Sequence, residues 1–535
     1  MLCHLITSVP LGGNAITRRS EPQWKILAYR RDGWRRVVGI LSAVSRRRQL
    51  RLLLLVTLLW AGLAGWRVAA GSADVPVLVV DEDGDPVVGA EVYADGDSLG
   101  VTDETGAVLL EWRPPGTRLS LEVPGYLPRT MPIRVRPEGP VRFRVQARML
   151  RGEARDPEGR PVGAVRITSG GLSTTTDDDG RFVLRRAEPG PVDVWRPAWE
   201  NTAIEWDGGP GFQQIRLVPL VVKAVHIGGD MLADPARRAQ YLRMAETTEL
   251  NALMIDLKDD DGLVWYDSQV ATAVELGTVA REPYRLDQVV READAAGLYV
   301  VGRIVTFQDP IAARRAPEMA VWDTARGAPY RKGGQWFLDP TDPAAQDYAL
   351  QIAREACTRG VDEIQFDYVR YPDGFGPSTV FDQGSDPQTR VRTIVGFLQR
   401  ARDQLHPLGC AVAADVFGFT TTARDDGGIG QLWPEVAKVV DVISPMLYPS
   451  HYGRGWFGFD NPNDYPGEVV YQALVDGVER LGSGTVVRPW LQDFGYDPSQ
   501  VREQIDSAEE FGFGWMLWNA LSKVTMEALR PAGSE

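Results

Sequence analysis

The stretch "VDEIQFDYVRYPDG", residues 361–374, decides how the chain is read. As a β-strand it puts Glu363, Gln365 and Asp367 on one face and Ile364 and Phe366 on the other, because side chains alternate across a strand. An apolar run of this kind belongs inside a protein, so its polar face must be interior too. A parallel sheet packed on both faces calls for near-continuous apolar strands. The lumen of a closed barrel, or the wall of a cavity, accommodates the three polar side chains instead.

Outward from this run, strand and helix patterns alternate from Leu217 onward. Apolar runs occur at 221–227, 252–257, 299–305, 363–369, 411–416, 442–447, 486–491 and 513–518, with helical periodicity at 235–248, 286–296, 343–359, 389–405, 469–481 and 498–511. Eight strand units in this length predict a (β/α)₈ TIM barrel over 219–530. A doubly wound open sheet is the rival, but "HIGGDMLADP" after the first run carries neither glycine-rich phosphate-loop pattern.

Residues 75–147 and 148–218 read as short strands punctuated by turns, and the second segment repeats the first. Asp81–Val88 aligns with Asp156–Val162, and "TDETG" (102–106) with "TDDDG" (176–180). The turn spacing predicts two small antiparallel β-sandwiches, and turn chemistry accounts for the repeated aspartates better than calcium does. Both copies resemble the carboxypeptidase regulatory-like sandwich domains of exported bacterial proteins.

The remaining segment, 1–73, is a basic N-terminus. It holds 12 Lys and Arg against 2 Asp and Glu, which leaves 46 against 70 for the rest of the chain. The uncharged run Leu52–Trp66 follows Arg46, Arg47, Arg48 and Arg51, the pattern of a signal peptide or signal anchor. The expectation is an extracytoplasmic protein, tethered to the membrane if this segment is uncleaved. The acidic body excludes nucleic acid as a partner. Cys3, Cys357 and Cys410 make no disulfide framework. The four histidines show no zinc-ligand spacing, so neither a metal nor a cofactor is expected.

In a barrel the chemistry gathers at the C-terminal strand ends. Here those ends supply His226; Asp256, Lys258 and Asp259; Arg303; Asp367, Arg370 and Tyr371; Asp415; Tyr448 and His451; Trp490 and Asp493; Trp518 and Asn519. Carboxylates beside tryptophans point to sugar, since aromatic faces stack on pyranose rings and paired carboxyls cleave glycosidic bonds. Asp367 and Asp415 end adjacent strands about 4.8 Å apart, compatible with the separation of about 5–5.5 Å used by retaining enzymes. Either could instead be a structural acid paired with Arg370 or Lys258. Asp256 and Lys258 share the expected inward face of their strand, as substrate ligands or as an interior ion pair. Arg303 and Arg370 recognise an anionic sugar or neutralise nearby carboxylates.

The segments "TELNALMIDLKDDDGLVWY", "LDPTDPAAQDYALQIAREACTRGVDEIQFDYVRYPDG" and "DVFGFTTT" resemble a glycoside hydrolase barrel family of bacterial proteins, distantly similar to the alpha-amylase group, over about 220–525. That resemblance implies Asp367 as nucleophile, Asp415 as general acid/base and Asp493 as transition-state stabiliser. The chain departs from the amylase pattern in having Gln365 where amylases carry an arginine, and aspartate rather than glutamate at 415. The leading reading is a retaining hydrolase of an envelope or extracellular polysaccharide. Its rivals are a non-catalytic carbohydrate-binding scaffold and a barrel enzyme using Lys258 as a Schiff-base nucleophile.

Overall fold

The computed structural model describes residues 74–534 apart from positions 112, 135–138 and 483. The expected signal or anchor segment at 52–66 lies outside the described residues. Among those described, no helix is long and apolar enough to cross a membrane.

The internal repeat is a repeat of topology. Each copy has seven strands in a three-stranded sheet of order 4-1-7 facing a four-stranded sheet of order 3-2-5-6. The repeated Thr-Asp motif explains itself locally. Asp103 Oδ1 accepts the amides of Thr105 and Ala107, and Asp177 Oδ1 accepts that of Arg181. The glycine ending each motif sits at φ 73°, and a Cβ there would meet the first strand's carbonyl oxygen at 2.6 Å (Gly106, Val79) or 2.5 Å (Gly180, Ala154). One expectation needs correcting: neither sandwich is wholly antiparallel. Val141–Arg144 runs parallel to Val75–Val80, and Phe212–Arg216 parallel to Met149–Arg155. In each copy the chain crosses to the other sheet for strands five and six, so the seventh re-enters in the direction of the first.

Eight parallel strands follow: β1 (Lys223–Ile227), β2 (Ala252–Lys258), β3 (Tyr299–Val305), β4 (Glu363–Asp367), β5 (Ala411–Phe417), β6 (Val442–Leu447), β7 (Val486–Val487, resuming at Trp490–Gln492) and β8 (Trp515–Trp518). β8 pairs with β1 and β1 with β2, so the sheet closes into a barrel and the open-sheet rival falls. The crossover helices are α1 (Pro235–Thr247), α2 (Leu286–Ala295), α3 (Pro343–Thr358), α4 (Pro387–Leu405), α5 (Trp433–Ala437), α6 (Pro466–Glu479) and α7 (Pro498–Glu509). Four of them start with the same Asp-Pro pair. Asp234, Asp342, Asp386 and Asp497 accept first-turn amides, while the proline occupies the position whose missing N–H costs nothing. Leu253, Ile255, Ile364 and Phe366 pack outward in the main apolar core. Ala224, Ala252, Met254, Val301 and Met516 fill the lumen.

The inward polar face of β4 is now accounted for. Glu363 Oε1 and Oε2 accept Arg488 Nη1 and Nη2 at 2.7 and 2.9 Å deep in the barrel, and Tyr299 Oη adds a bond of 3.3 Å to Oε2. Above it Gln365 Nε2 donates to Asp415 Oδ1. Asp367 tops the stack at the mouth. Both partners of the Glu363–Arg488 pair are essentially inaccessible, so Glu363→Gln strands a guanidinium in a dry interior. That variant is expected to lose about 3–5 kcal/mol in urea unfolding. The double variant Glu363→Met/Arg488→Met is expected to recover most of it, because the cost lies in the unpaired charge.

The floor of the barrel is covered by the second sandwich, whose Trp199 and Leu217 form one apolar cluster with Ala411, Ala413, Val442 and Val486. Cys357, on α3, and Cys410, just ahead of β5, are bonded as a disulfide. This corrects the expectation that the three cysteines make no disulfide framework, since two of them pair. The cross-link ties residues 53 apart in sequence, a loop length for which chain entropy predicts about 4 kcal/mol of stabilisation. Cys410→Ser is expected to lose up to that amount in urea, and adding reductant to the variant is expected to change nothing further.

Candidate active site

The strands end in a cleft of about 520 Å³. Its carboxylates are Asp367 and Asp260, its guanidiniums Arg303 and Arg370, and aromatic side chains make up most of the remaining wall. Asp367 is the last residue of β4. Phe366 pairs with Ala414, which sets Asp367 level with Asp415 on the neighbouring strand. The chain then turns sharply, because Tyr368 has φ 48° and donates its amide to Asp367 Oδ1 at 2.7 Å. A tyrosine pays a steric penalty in the left-handed region. Here the turn sends the Tyr368 and Arg370 side chains into the cleft wall.

Arg303, from the middle of β3, links two carboxylates. Its Nε and Nη2 donate to Asp367 Oδ2 at 2.9 and 2.6 Å, and Nη1 donates to Asp256 Oδ1 at 2.8 Å. Burial alone would raise Asp256, but His226, with Nε2 2.9 Å from Asp256 Oδ2, and Arg303 hold it down to about 2. Opposing the cost of burial, Asp367 and Asp256 keep Arg303 firmly charged. The Trp518 ring packs against both groups, 4.8 Å from the Arg303 guanidinium and 4.2 Å from the His226 ring.

Asp415 is 1% exposed and does not itself line the cleft. It lies behind the lining residue Trp490, whose Nε1 donates to Asp415 Oδ1 at 2.7 Å, while Oδ2 has no partner among the described residues. Burial, then the negative charge of Asp367, pushes this carboxyl well above its ordinary 3.8. Both effects favour its protonated form. Tyr448 and His451 complete the rim, edge to face at 5.3 Å. Burial lowers His451, which favours its neutral form.

Several predicted site residues lie elsewhere. The β2–β3 register slips between Asp256 and Lys258, so Lys258 pairs with the outward-facing Ile304. The bulge therefore turns Lys258 behind the barrel, where Nζ meets Asp309 Oδ2 at 3.0 Å and Val305 O at 2.7 Å. That placement corrects the shared inward face with Asp256 and removes the Schiff-base reading. Asp259 holds a turn, accepting Trp265 Nε1 at 2.6 Å and Leu263 N at 2.9 Å; burial raises it to about 6. Tyr371 is enclosed, with its hydroxyl against Gly384 O and Thr393 Oγ1. Asp493 accepts the Thr525 amide, and Asn519 Nδ2 donates to Asp493 O; neither lines the cleft. The lining residues Asp260, Tyr368, Phe417, Phe419, Tyr452 and Trp456 were not singled out from the sequence. The "DDDG" run gave the one usable hint, since a strand-end turn of a barrel belongs to the mouth.

The comparison with curated proteins gives no match. Solved structures similar to the chain include a hypothetical protein from Ruminiclostridium thermocellum, 35% identical, with 36% of this chain and 97% of that one covered and a TM-score of 0.33. The PgaB (BpsB) glycoside hydrolase domain from Bordetella bronchiseptica is 16% identical, with coverages of 56% and 94% and a TM-score of 0.41. The glycoside hydrolase domain of PelA from Pseudomonas aeruginosa is 10% identical, with coverages of 57% and 96% and a TM-score of 0.34. Residues 224–523, more than half of the chain, match the family described as "DUF4015: Putative glycosyl hydrolase domain", and the chain belongs to that family.

Proposed function

We propose that the chain is a retaining glycoside hydrolase in which Asp367 attacks the anomeric carbon and Asp415 protonates the leaving oxygen. The observation that carries the reading is the contrast between two level carboxyls on adjacent strands. Asp367 receives two guanidinium hydrogen bonds, and Asp415 is buried with an oxygen to spare. Retaining hydrolysis needs this pair: an ionised nucleophile beside a protonated acid that later serves as base. The partly exposed Trp518 in the cleft wall offers a platform for a sugar ring. The substrate we propose is a polysaccharide of the envelope or surroundings. Export is supported by the arginine-flanked apolar run and by the disulfide, which persists in oxidising compartments. Incubating the purified protein with a glycan panel and following the anomeric configuration by NMR tests the proposal. Absence of cleavage across the panel, with binding intact, would favour the scaffold reading.

A second assignment of the acid rests on one observation: Asp260 is exposed and lines the cleft, whereas Asp415 lies behind Trp490. Asp260→Asn and Asp415→Asn, compared on one substrate, separate the two.

A further inference from the structure

Arg370 differs from the other buried arginines of the barrel. It is 5% exposed and lines the cleft. Its only protein partners among the described residues are reached through Nη1: Tyr371 O at 3.0 Å and Asp373 Oδ1 at 3.4 Å. Asp373 is in turn held at 2.5 Å by Lys332. Nε and Nη2, the edge that presents two parallel N–H groups, have no partner among the described residues, yet neither is among the enclosed orphan atoms. That edge therefore opens to solvent on the cleft side of the residue.

The same edge is used elsewhere in this barrel to hold carboxylates. Arg390 donates from Nε and Nη2 to the two oxygens of Asp426 at 2.6 and 2.8 Å. Arg303 uses both nitrogens on Asp367. Arg488 pairs with Glu363 through its other edge, and its unpartnered Nε is enclosed, out of reach of the cleft. Arg196, also buried with nitrogens unpartnered, belongs to the second sandwich and lies against Gly484, away from the cleft. Arg370 is also fixed in place. Its guanidinium lies 4.7 Å from the Phe417 ring and 5.0 Å from that of Tyr368, so little motion remains to be lost on pairing. Burial lowers its proton affinity, and the Asp373 carboxylate at 3.4 Å together with the charge of Asp367 only partly offsets the lost hydration. A planar anion would complete the pair.

We propose that Arg370 forms a subsite for the carboxylate of a uronic-acid residue, so that the substrate is an acidic polysaccharide. This rests on the glycoside hydrolase reading and adds the charge of the sugar. The test titrates the Asp367→Asn protein, which is expected to turn substrate over too slowly to consume it during a titration, with uronic-acid oligosaccharides and their carboxyl-reduced neutral counterparts, and measures hydrolysis of the same compounds by the wild type. The acidic forms are expected to bind at least about tenfold tighter. Placing Arg370→Gln in the same background is expected to erase that difference by weakening binding of the acidic forms far more than that of the neutral ones. Arg370→Lys, which keeps the charge but loses the fork, is expected to fall between. Equal affinity for acidic and reduced forms, or a preference that survives Arg370→Gln, overturns the subsite. If Arg370→Gln does not fold, the acidic-against-reduced comparison in the parent protein decides alone. Arg370-dependent binding without hydrolysis by the wild type would sustain the subsite and sink the hydrolase reading; no binding by either form sinks both.

Discussion

Asp367→Asn is expected to leave a folded protein that cleaves its glycan about 10⁴-fold or more slowly, the order seen when a nucleophile is removed from a concerted set. Folding should survive because Arg303, the buried cation facing this side chain, keeps its bond to Asp256 at 2.8 Å, and Asp256 keeps His226. The amide retains the size of the carboxylate but neither the negative charge nor the lone pair that forms the glycosyl-enzyme bond. A second substitution makes the assignment specific. Asp367→Gly opens space on the face from which the carboxylate attacks, and added azide would form its bond to the anomeric carbon there as the leaving oxygen takes a proton. The product would be a glycosyl azide of inverted configuration, detectable by NMR. Full activity in Asp367→Asn, or an azide product of retained configuration, would exclude Asp367 as the nucleophile.

Asp367 was legible in the sequence because period two is a property of any strand, and an alternating polar face inside an apolar run has few places to go. The whole column of Glu363, Gln365 and Asp367 follows from that rule. Its partners do not: Arg488 lies 125 positions away, and only closure of the barrel brings it to Glu363. Lys258 was misplaced by the same rule that placed Asp367, since a bulge shifts the alternation by one and leaves no mark in residue type. Tyr368 was missed because its left-handed backbone contradicts what a tyrosine signals, the kind of local inconsistency expected at functional sites. Asp493 follows β7 directly, yet its carboxyl accepts the Thr525 amide and does not face the cleft. The Cys357–Cys410 bond depended on the spacing of α3 and β5, which neither cysteine's neighbours encode.

Asp415→Asn is expected to slow hydrolysis about 10²–10⁴-fold, the usual contribution of a positioned acid, with the smallest losses on substrates whose leaving groups need no protonation. The same change is expected to make the protein more stable at neutral pH. Asparagine keeps an Oδ1 to accept from Trp490 and Gln365, and its added N–H₂ replaces an oxygen that has no partner. The sign follows from linkage. Burial and the Asp367 charge raise Asp415 in the folded chain, whereas the unfolded chain ionises near the ordinary 3.8. Between those values the folded state binds more protons, so wild-type stability falls as pH rises through the window and levels off above the folded value. Asp415→Asn has no such slope, so its advantage in unfolding free energy should grow from about pH 4 upward and then reach a plateau. Wild-type kcat/KM should decline over the upper part of that range, because the proton lost is the one the leaving oxygen needs. One ionisation thus governs an alkaline limb in kinetics and a plateau in stability, and the two should coincide. Coincidence together with the rate loss identifies Asp415 as the acid. A stability plateau with no matching limb, and the activity loss appearing in Asp260→Asn instead, would leave Asp415 a buried structural proton and move the acid to the exposed side of the cleft.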